Sequence, residues 1–232
     1  MTIDKQNYTI GDRECTVYSS GIPRLLLVQV VSERQGEDMD KEVEQIAAAA
    51  NIPFALVAVP IVDWELELMP WAEQVVSRRP EVGSGAVVTL RYITDKVLPA
   101  LPLHDIPTVL GGYSLGGLFA MWAACQTAVF KAVAAASPSL WAGDWPQYSD
   151  SHPMLAKQVY LSLGDREEYT RNKTMARSGD RLRAEHARLQ AQLGANRTTL
   201  VWEQGGHFNN PAGRMARAFS WTIEQLKDGI AQ

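Results

Sequence analysis

An apolar strand, a turn of small residues and an apolar helix are predicted within one short segment, Val109-Leu110-Gly111-Gly112-Tyr113-Ser114-Leu115-Gly116-Gly117-Leu118-Phe119-Ala120. The G-x-S-x-G pattern from Gly112 to Gly116 indicates a sharp strand-to-helix turn with Ser114 at its apex. The positions two before and two after the serine must be small, because a Cβ there would strike the neighbouring backbone. The following helix directs its free N–H groups and positive dipole end at the serine, where they stabilise negative charge on a reacting oxygen. The segment therefore predicts a nucleophilic serine; a tightly packed or phosphate-binding turn is the alternative.

Composition and charge limit the classes of function. The chain has 232 residues, 46% of them hydrophobic, and this favours a single domain spanning residues 1–232 with a sizeable core. A net charge of −4 without a long basic run argues against binding to nucleic acid or to a membrane surface. We find no signal-peptide pattern and no membrane-spanning run, and we interpret Cys15 and Cys125 as buried free thiols. A cytoplasmic location is therefore expected, and a homodimer stays open.

Strands and helices alternate along the chain. Apolar runs predict strands at residues 15–18, 25–31, 54–59, 107–110, 132–136, 159–163 and 200–202. Helical spacing or composition predicts helices at residues 40–50, 83–100, 115–124, 173–193 and 212–227. Strands that are apolar on both faces indicate an α/β fold, with a mostly parallel sheet covered by helices on both sides. No segment between these elements is long enough for a large cap domain.

Candidate catalytic residues follow three of these strands. Active sites of parallel sheets lie at the carboxyl ends of the strands. Ser114 follows one strand, the acidic segment Gly164-Asp165-Arg166-Glu167-Glu168 follows another, and His207 follows the last. The order serine, carboxylate, histidine is that of the α/β-hydrolase triad. The sequence therefore predicts the α/β-hydrolase fold.

Each of the three groups has a distinct chemical role. A serine hydroxyl needs a base to become a nucleophile, and imidazole can supply one because it titrates near neutral pH. A buried carboxylate fixes the tautomer of the imidazole. In hydrolases of this type the acid often follows the strand-ending glycine by about three residues. That spacing favours Glu167, with Asp165 as the second candidate; Glu168 is more simply a solvated charge at a helix start.

From about Leu25 onward, the chain resembles the Putative esterase family, which includes esterase D and the enterochelin (siderophore) esterases. The resemblance is carried by the segments at residues 111–120, 135–141 (Ala-Ala-Ser-Pro-Ser-Leu-Trp), 160–168 and 206–207. It implies an α/β-hydrolase fold and hydrolysis of a carboxylic ester through an acyl-serine. It also implies an oxyanion hole formed by the backbone N–H of Leu115 and a second N–H from the loop after strand 25–31. Ser32 or Glu33 is the candidate, because this loop lacks the family's usual Asp-Gly turn.

Aromatic residues near the strand ends are candidates for substrate binding. We expect Tyr113, Trp64 and Trp141 to contact substrate, although anchoring of the loops to the core is the simpler interpretation for any single tryptophan. No metal-ligand spacing and no dinucleotide fingerprint occurs, so neither a metal nor a cofactor is expected. The sequence predicts a serine esterase for a small carboxylic ester, of siderophore or xenobiotic type. The alternatives are a non-catalytic ligand-binding protein of this fold and an acyltransferase that uses the same serine.

Overall fold

A computed structural model of the protein describes residues 2–72, 84–143 and 145–230. Within these residues, eight strands form one sheet in the order β1-β2-β4-β3-β5-β6-β7-β8. β2 pairs antiparallel with β1 and β4, and all the other pairs are parallel. The strands are β1 (Asp4–Ile10), β2 (Arg13–Ser19), β3 (Leu26–Val31), β4 (Ala55–Pro60), β5 (Thr108–Tyr113), β6 (Phe130–Ala136), β7 (Gln158–Gly164) and β8 (Thr198–Glu203).

Helices cover both faces of the sheet. They are α1 (Glu33–Glu37), α2 (Met39–Ala49), α3 (Trp64–Leu68), α4 (Ala86–Tyr92), α5 (Leu98–Ala100), α6 (Leu115–Gln126), α7 (Trp145–Ser151), α8 (Ser178–Leu193) and α9 (Pro211–Ile230). One apolar cluster joins α4, α6 and α8 to the sheet, and a second joins α2 and α9 to the opposite face. This arrangement confirms the predicted α/β-hydrolase class. Between β6 and β7 the described residues form one short helix, α7.

Several elements differ from the sequence-based expectation. β1 was not expected, because its residues are polar and mostly exposed, as suits an edge strand. The helix predicted from residue 173 begins at Ser178, and the helix predicted over residues 83–100 contains a π-helical turn at Ile93–Val97, with residue 83 outside the described part. The short helices α1, α3 and α7 have too few residues to show a periodic pattern. No helix among the described residues has the length and apolar character needed to span a bilayer.

Two glycines at the end of β5 allow the sheet and both helix layers to approach closely. A Cβ on Gly111 would lie 2.3 Å from the ring of Phe219 in α9. A Cβ on Gly112 would lie 2.3 Å from the backbone of Gly116 in α6. Both distances are far inside van der Waals contact, so this strand end requires glycine at both positions. The strand can then turn directly into α6 with Ser114 between them.

Candidate active site

Ser114 lies in a strained turn. Its backbone adopts φ 59° and ψ −119°, a conformation that non-glycine residues rarely take and that costs about 1–3 kcal/mol. Hydrogen bonds hold the turn on both sides: the N–H of Ser114 donates to the carbonyl of Ala136 at 3.0 Å, and its carbonyl accepts from the N–H of Ser139 at 3.0 Å. The surrounding structure thus fixes the position of the hydroxyl.

Ser114, His207 and Glu167 form one hydrogen-bonded chain. Nε2 of His207 lies 2.9 Å from Oγ of Ser114, and Nδ1 lies 2.6 Å from Oε2 of Glu167. These residues come from the ends of β5, β7 and β8, which meet at one edge of the sheet. The geometry permits proton transfer from the hydroxyl to an imidazole whose opposite nitrogen is held by a carboxylate.

The other two acidic candidates make different contacts. Oδ1 of Asp165 accepts a hydrogen bond from the N–H of Gly205 at 2.8 Å, which ties the loop after β7 to the loop after β8. Glu168 forms an ion pair with Arg183 at 3.1 Å. The structure therefore brings Glu167, and not Asp165, to His207. Asp165 lies directly after β7 and reaches the neighbouring backbone, whereas Glu167 lies on the following turn, which directs it toward the imidazole.

The second carboxylate oxygen of Glu167 has three further donors. Oε1 accepts from the N–H of Gly164 at 2.8 Å, from the hydroxyl of Ser137 at 2.8 Å and from Nη1 of Arg214 at 2.6 Å. Burial by itself would raise the pKa of Glu167. The hydrogen bond and charge of His207, followed by the bonds from Gly164 and Ser137, outweigh burial and leave that pKa below its ordinary value. Glu167 is therefore ionised at neutral pH.

Arg214 is part of the site and was not found by sequence reasoning. Its side chain is 1% exposed, on α9. Besides Glu167, Nη1 donates to Tyr113 at 3.2 Å, and Nη2 donates to the carbonyl of Gly206 at 2.9 Å. One guanidinium thus holds the carboxylate and the loop that carries the histidine. The available signal was an arginine four residues before Ala218 in the apolar stripe of α9.

The Ser-Pro-Ser segment supports the site from the end of β6. Ser137 takes a positive φ of 47° and directs its hydroxyl to Glu167. Ser139 binds the carbonyl of Ser114 through its N–H, and its hydroxyl lies 3.3 Å from Oγ of Ser114. This segment links the predicted nucleophile to the predicted acid.

A pocket of about 220 Å³ opens beside Ser114 and His207. Of the three aromatic side chains predicted to bind substrate, Trp64 and Tyr113 line it. Tyr113 is almost fully buried, and its hydroxyl donates to the carbonyl of His207 at 2.6 Å, so it also anchors the histidine loop. Trp141 is half-buried, packs against the apolar core and is not among the residues that line this pocket.

The candidate oxyanion donors lie at two helix starts. Leu115 is the first residue of α6, immediately after Ser114. Ser32 is the N-cap of α1, and Glu33 is the first residue of that helix. The backbone N–H of Ser32 donates to Oε1 of Gln35 at 3.0 Å in a reciprocal capping box. An amide oxygen thus accepts from the N–H of Ser32, one of the two candidates for the second oxyanion donor. Within the described residues, no group of three or more His, Cys, Asp or Glu side chains could hold a metal ion.

Comparison with solved structures shows the same fold. The siderophore hydrolase EstB from Aspergillus nidulans superposes with a TM-score of 0.72 at 16% identity, covering 96% of this chain and 94% of the other. An IroE-like serine hydrolase from Shewanella oneidensis has a TM-score of 0.70 at 15% identity, with 97% and 81% covered. Enterochelin esterase from Shigella flexneri has a TM-score of 0.65 at 17% identity, with 98% and 59% covered. No curated protein sequence matches this chain.

The family model described as Putative esterase matches residues 34–210. The matched region contains the Ser114 turn, the Ser-Pro-Ser segment, Glu167 and His207. This match covers most of the chain and agrees with both the fold and the resemblance found in the sequence. The chain belongs to the Putative esterase family and is a serine hydrolase of carboxylic esters.

Proposed function

We propose that Ser114 is the nucleophile, His207 the general base and acid, and Glu167 the carboxylate that orients the imidazole. The observation that carries this assignment is the continuous chain of contacts, 2.9 Å from Ser114 to His207 and 2.6 Å from His207 to Glu167. Both lengths are those of hydrogen bonds that can transfer or hold a proton. This intact chain favours a hydrolase over a ligand-binding protein that has lost its activity.

The reaction has two halves. Ser114 Oγ attacks the ester carbonyl carbon while its proton passes to Nε2 of His207, and a tetrahedral oxyanion forms. The imidazolium then returns the proton to the leaving alcohol oxygen, the ester C–O bond breaks and an acyl-serine remains. Water attacks the acyl-serine by the same steps, releasing the carboxylic acid and restoring Ser114. Through both halves, ionised Glu167 stabilises the imidazolium from the Nδ1 side.

The oxyanion is stabilised by the backbone N–H groups of Leu115 and Ser32. Leu115 lies at the positive end of the α6 dipole, directly after the nucleophile. The Ser32 N–H becomes available when the substrate oxygen replaces Oε1 of Gln35, which holds it at 3.0 Å. This exchange leaves the number of hydrogen bonds to Ser32 unchanged, and the gain comes from charge that develops only in the transition state.

The substrate is a small carboxylic ester, and we propose that it is of siderophore type. Several structural neighbours are described as siderophore or enterochelin esterases. A pocket of about 220 Å³ accepts one short acyl or alcohol group of such an ester, with the remainder outside. Two buried free thiols, Cys15 and Cys125, support a reducing compartment such as the cytoplasm.

Labelling with a fluorophosphonate probe tests the assignment. Wild-type protein should be modified at Ser114 with near one-to-one stoichiometry, as mapped by mass spectrometry. Ser114→Ala and His207→Ala should abolish labelling and the hydrolysis of p-nitrophenyl acetate. Ser149→Ala, which changes a buried serine on α7, is the matched control and should label like wild type. Wild-type protein that stays unlabelled while correctly folded would refute the assignment.

A further inference from the structure

Two polar side chains lie at the inner wall of the active-site pocket without a role in the proposed chemistry. Gln29 is on the central strand β3 and is 1% exposed, and Glu42 is on α2 and is 3% exposed. Both line the same pocket as Ser114 and His207. They are therefore buried from bulk solvent and form part of the wall of this pocket.

Each of these side chains has an unpartnered oxygen. Nε2 of Gln29 donates to Oε2 of Glu42 over a long 3.4 Å, whereas Oε1 of Gln29 and Oε1 of Glu42 have no hydrogen-bond partner. Buried polar atoms without a partner destabilise a fold, and they are found mainly where a ligand or an ordered water completes them. Both oxygens are enclosed by protein, so a ligand group could bond to them only after the two side chains turn toward the pocket.

The other residues that line the pocket indicate what kind of ligand would carry such a group. Beyond the reacting groups, much of the remaining wall is apolar or aromatic: Trp64, Tyr113, Phe208, Pro211, Ala212 and Met215. Arg34 and Asp38 also line the pocket. A mostly apolar pocket with a few polar groups at fixed positions binds a short hydrocarbon chain and recognises one polar substituent on it by hydrogen bonds.

We propose that Gln29 and Glu42 form a subsite for a hydroxyl group carried on the part of the ester that enters the pocket. The hydroxyl hydrogen donates to Oε1 of Gln29, and the hydroxyl oxygen accepts from the protonated carboxyl of Glu42. Burial raises the pKa of Glu42 well above its ordinary value, with a smaller contribution from Asp38, and the bond from Gln29 opposes this only in part. The direction of this shift favours the neutral carboxylic acid, which has a hydrogen to donate. A neutral hydroxyl fits this donor and acceptor pair better than an ammonium group, which supplies only donors.

This inference rests on the proposed esterase function, and its test compares matched esters in one enzyme. Methyl 5-hydroxypentanoate is compared with methyl pentanoate, and 4-hydroxybutyl acetate with butyl acetate, so that the hydroxyl is on the acyl part in one pair and on the alcohol part in the other. Acid release is followed in a pH-stat, and active sites are counted by fluorophosphonate labelling. In one of the two pairs, the wild-type enzyme should have a kcat/KM about tenfold higher for the hydroxyl-bearing ester. This ratio corresponds to the net contribution of one hydrogen bond.

Variants at the subsite should reverse this preference. In the double variant Gln29→Leu/Glu42→Leu, the alkyl ester should become the better substrate, and replacing both partners by apolar side chains should preserve the fold. The single variant Gln29→Met is near-isosteric and should lose most of the preference if the double variant does not fold. Glu44→Leu changes an exposed glutamate on the same helix and should keep the wild-type ratio.

Equal rates on both esters of both pairs in wild type would overturn the subsite, as would a preference that survives in the double variant. Equal rates are expected if a permanently bound water molecule makes hydrogen bonds to both oxygens, because the substrate hydroxyl then gains no new bond. A substrate preference for a terminal ammonium over a hydroxyl would also overturn the proposal, because it requires an ionised Glu42. Failure of the esterase function is a different result, since neither ester would then be hydrolysed and Ser114 would not label.

Discussion

Replacing Arg214 by methionine tests whether this buried arginine positions the acid and the histidine. The substitution keeps an unbranched side chain of similar volume but removes the guanidinium and its charge. It deletes the 2.6 Å bond to Glu167 and the 2.9 Å bond to the carbonyl of Gly206. Glu167 keeps its bonds from Gly164 and Ser137. The carboxylate should therefore stay in the site while losing its one cationic partner on α9.

The structure sets the expected magnitude. The guanidinium is 1% exposed and Glu167 is 6% exposed, so the substitution breaks a buried ion pair, which costs about 3–5 kcal/mol of stability. A hydrogen bond to a charged group is worth about 1.5–3 kcal/mol. If that amount is expressed in the transition state as poorer positioning of His207, kcat falls about 10- to 150-fold. Arg214→Lys keeps the charge but not the planar fork, and should lie between wild type and Arg214→Met.

Arg217 supplies the matched control, because it lies three residues along α9 and pairs with Glu203 at 2.6 Å. Its side chain is 48% exposed, so Arg217→Met should cost at most about 2 kcal/mol and leave kcat unchanged. Urea unfolding and the hydrolysis of p-nitrophenyl acetate give the two measurements. If Arg214→Met loses stability but keeps kcat within about threefold of wild type, the arginine only supports the fold and the positioning argument is refuted.

Three further predictions follow from the same geometry. Gly112→Ala should unfold the protein or lower its melting temperature strongly, because the new Cβ would lie 2.3 Å from the backbone of Gly116, whereas Gly36→Ala meets nothing within 4 Å and should be tolerated; equal melting temperatures would contradict this. Glu42→Gln should stabilise the protein increasingly as pH rises from 4 to 8, as followed by melting temperature. Burial raises the folded-state pKa of Glu42, so the wild-type folded state retains a proton that the unfolded state has already lost, and its stability falls through that window; parallel pH profiles would contradict this. Gln35→Glu should lower kcat on p-nitrophenyl acetate more than Gln35→Ala, because it places a carboxylate at the proposed oxyanion donor; equal kcat values would remove Gln35 from the oxyanion argument.

The sequence was sufficient for the fold class because the parallel strands are almost wholly buried. β3, β5 and β7 have every residue buried, and an apolar run of this kind is visible without any tertiary information. The edge strand β1 and the short helices α1 and α3 were not predictable from local pattern, because β1 is polar and exposed and each of the two helices has only five residues. The hairpin formed by β1 and β2 shows this, since β1 pairs along its whole length but has an exposed, polar composition.

The residues of the candidate site also fall into those that the sequence indicated and those that only the structure showed. Ser114 and His207 were predictable because each lies beside glycines whose spacing has a local steric reason, and the family assignment drew on the same segments. The choice of Glu167 over Asp165 depends on how one turn is directed after β7, and local sequence does not determine that direction. Arg214 and Glu167 are 47 positions apart, and Gln29 and Glu42 are 13 positions apart on different elements, so neither contact has a local sequence signal.

The sequence alone therefore determined the architecture and pointed to the residues that we propose as nucleophile and base. Runs of apolar residues and steric restriction at a turn are local properties of the chain. Tertiary structure decided which carboxylate meets the imidazole, which cation holds that carboxylate and which polar atoms the pocket leaves unpaired. These are matters of distance and desolvation between groups that only folding brings together. The position of Arg214 in the apolar stripe of α9 is a weak signal, and only the packing of α9 against the sheet shows that its charge is buried.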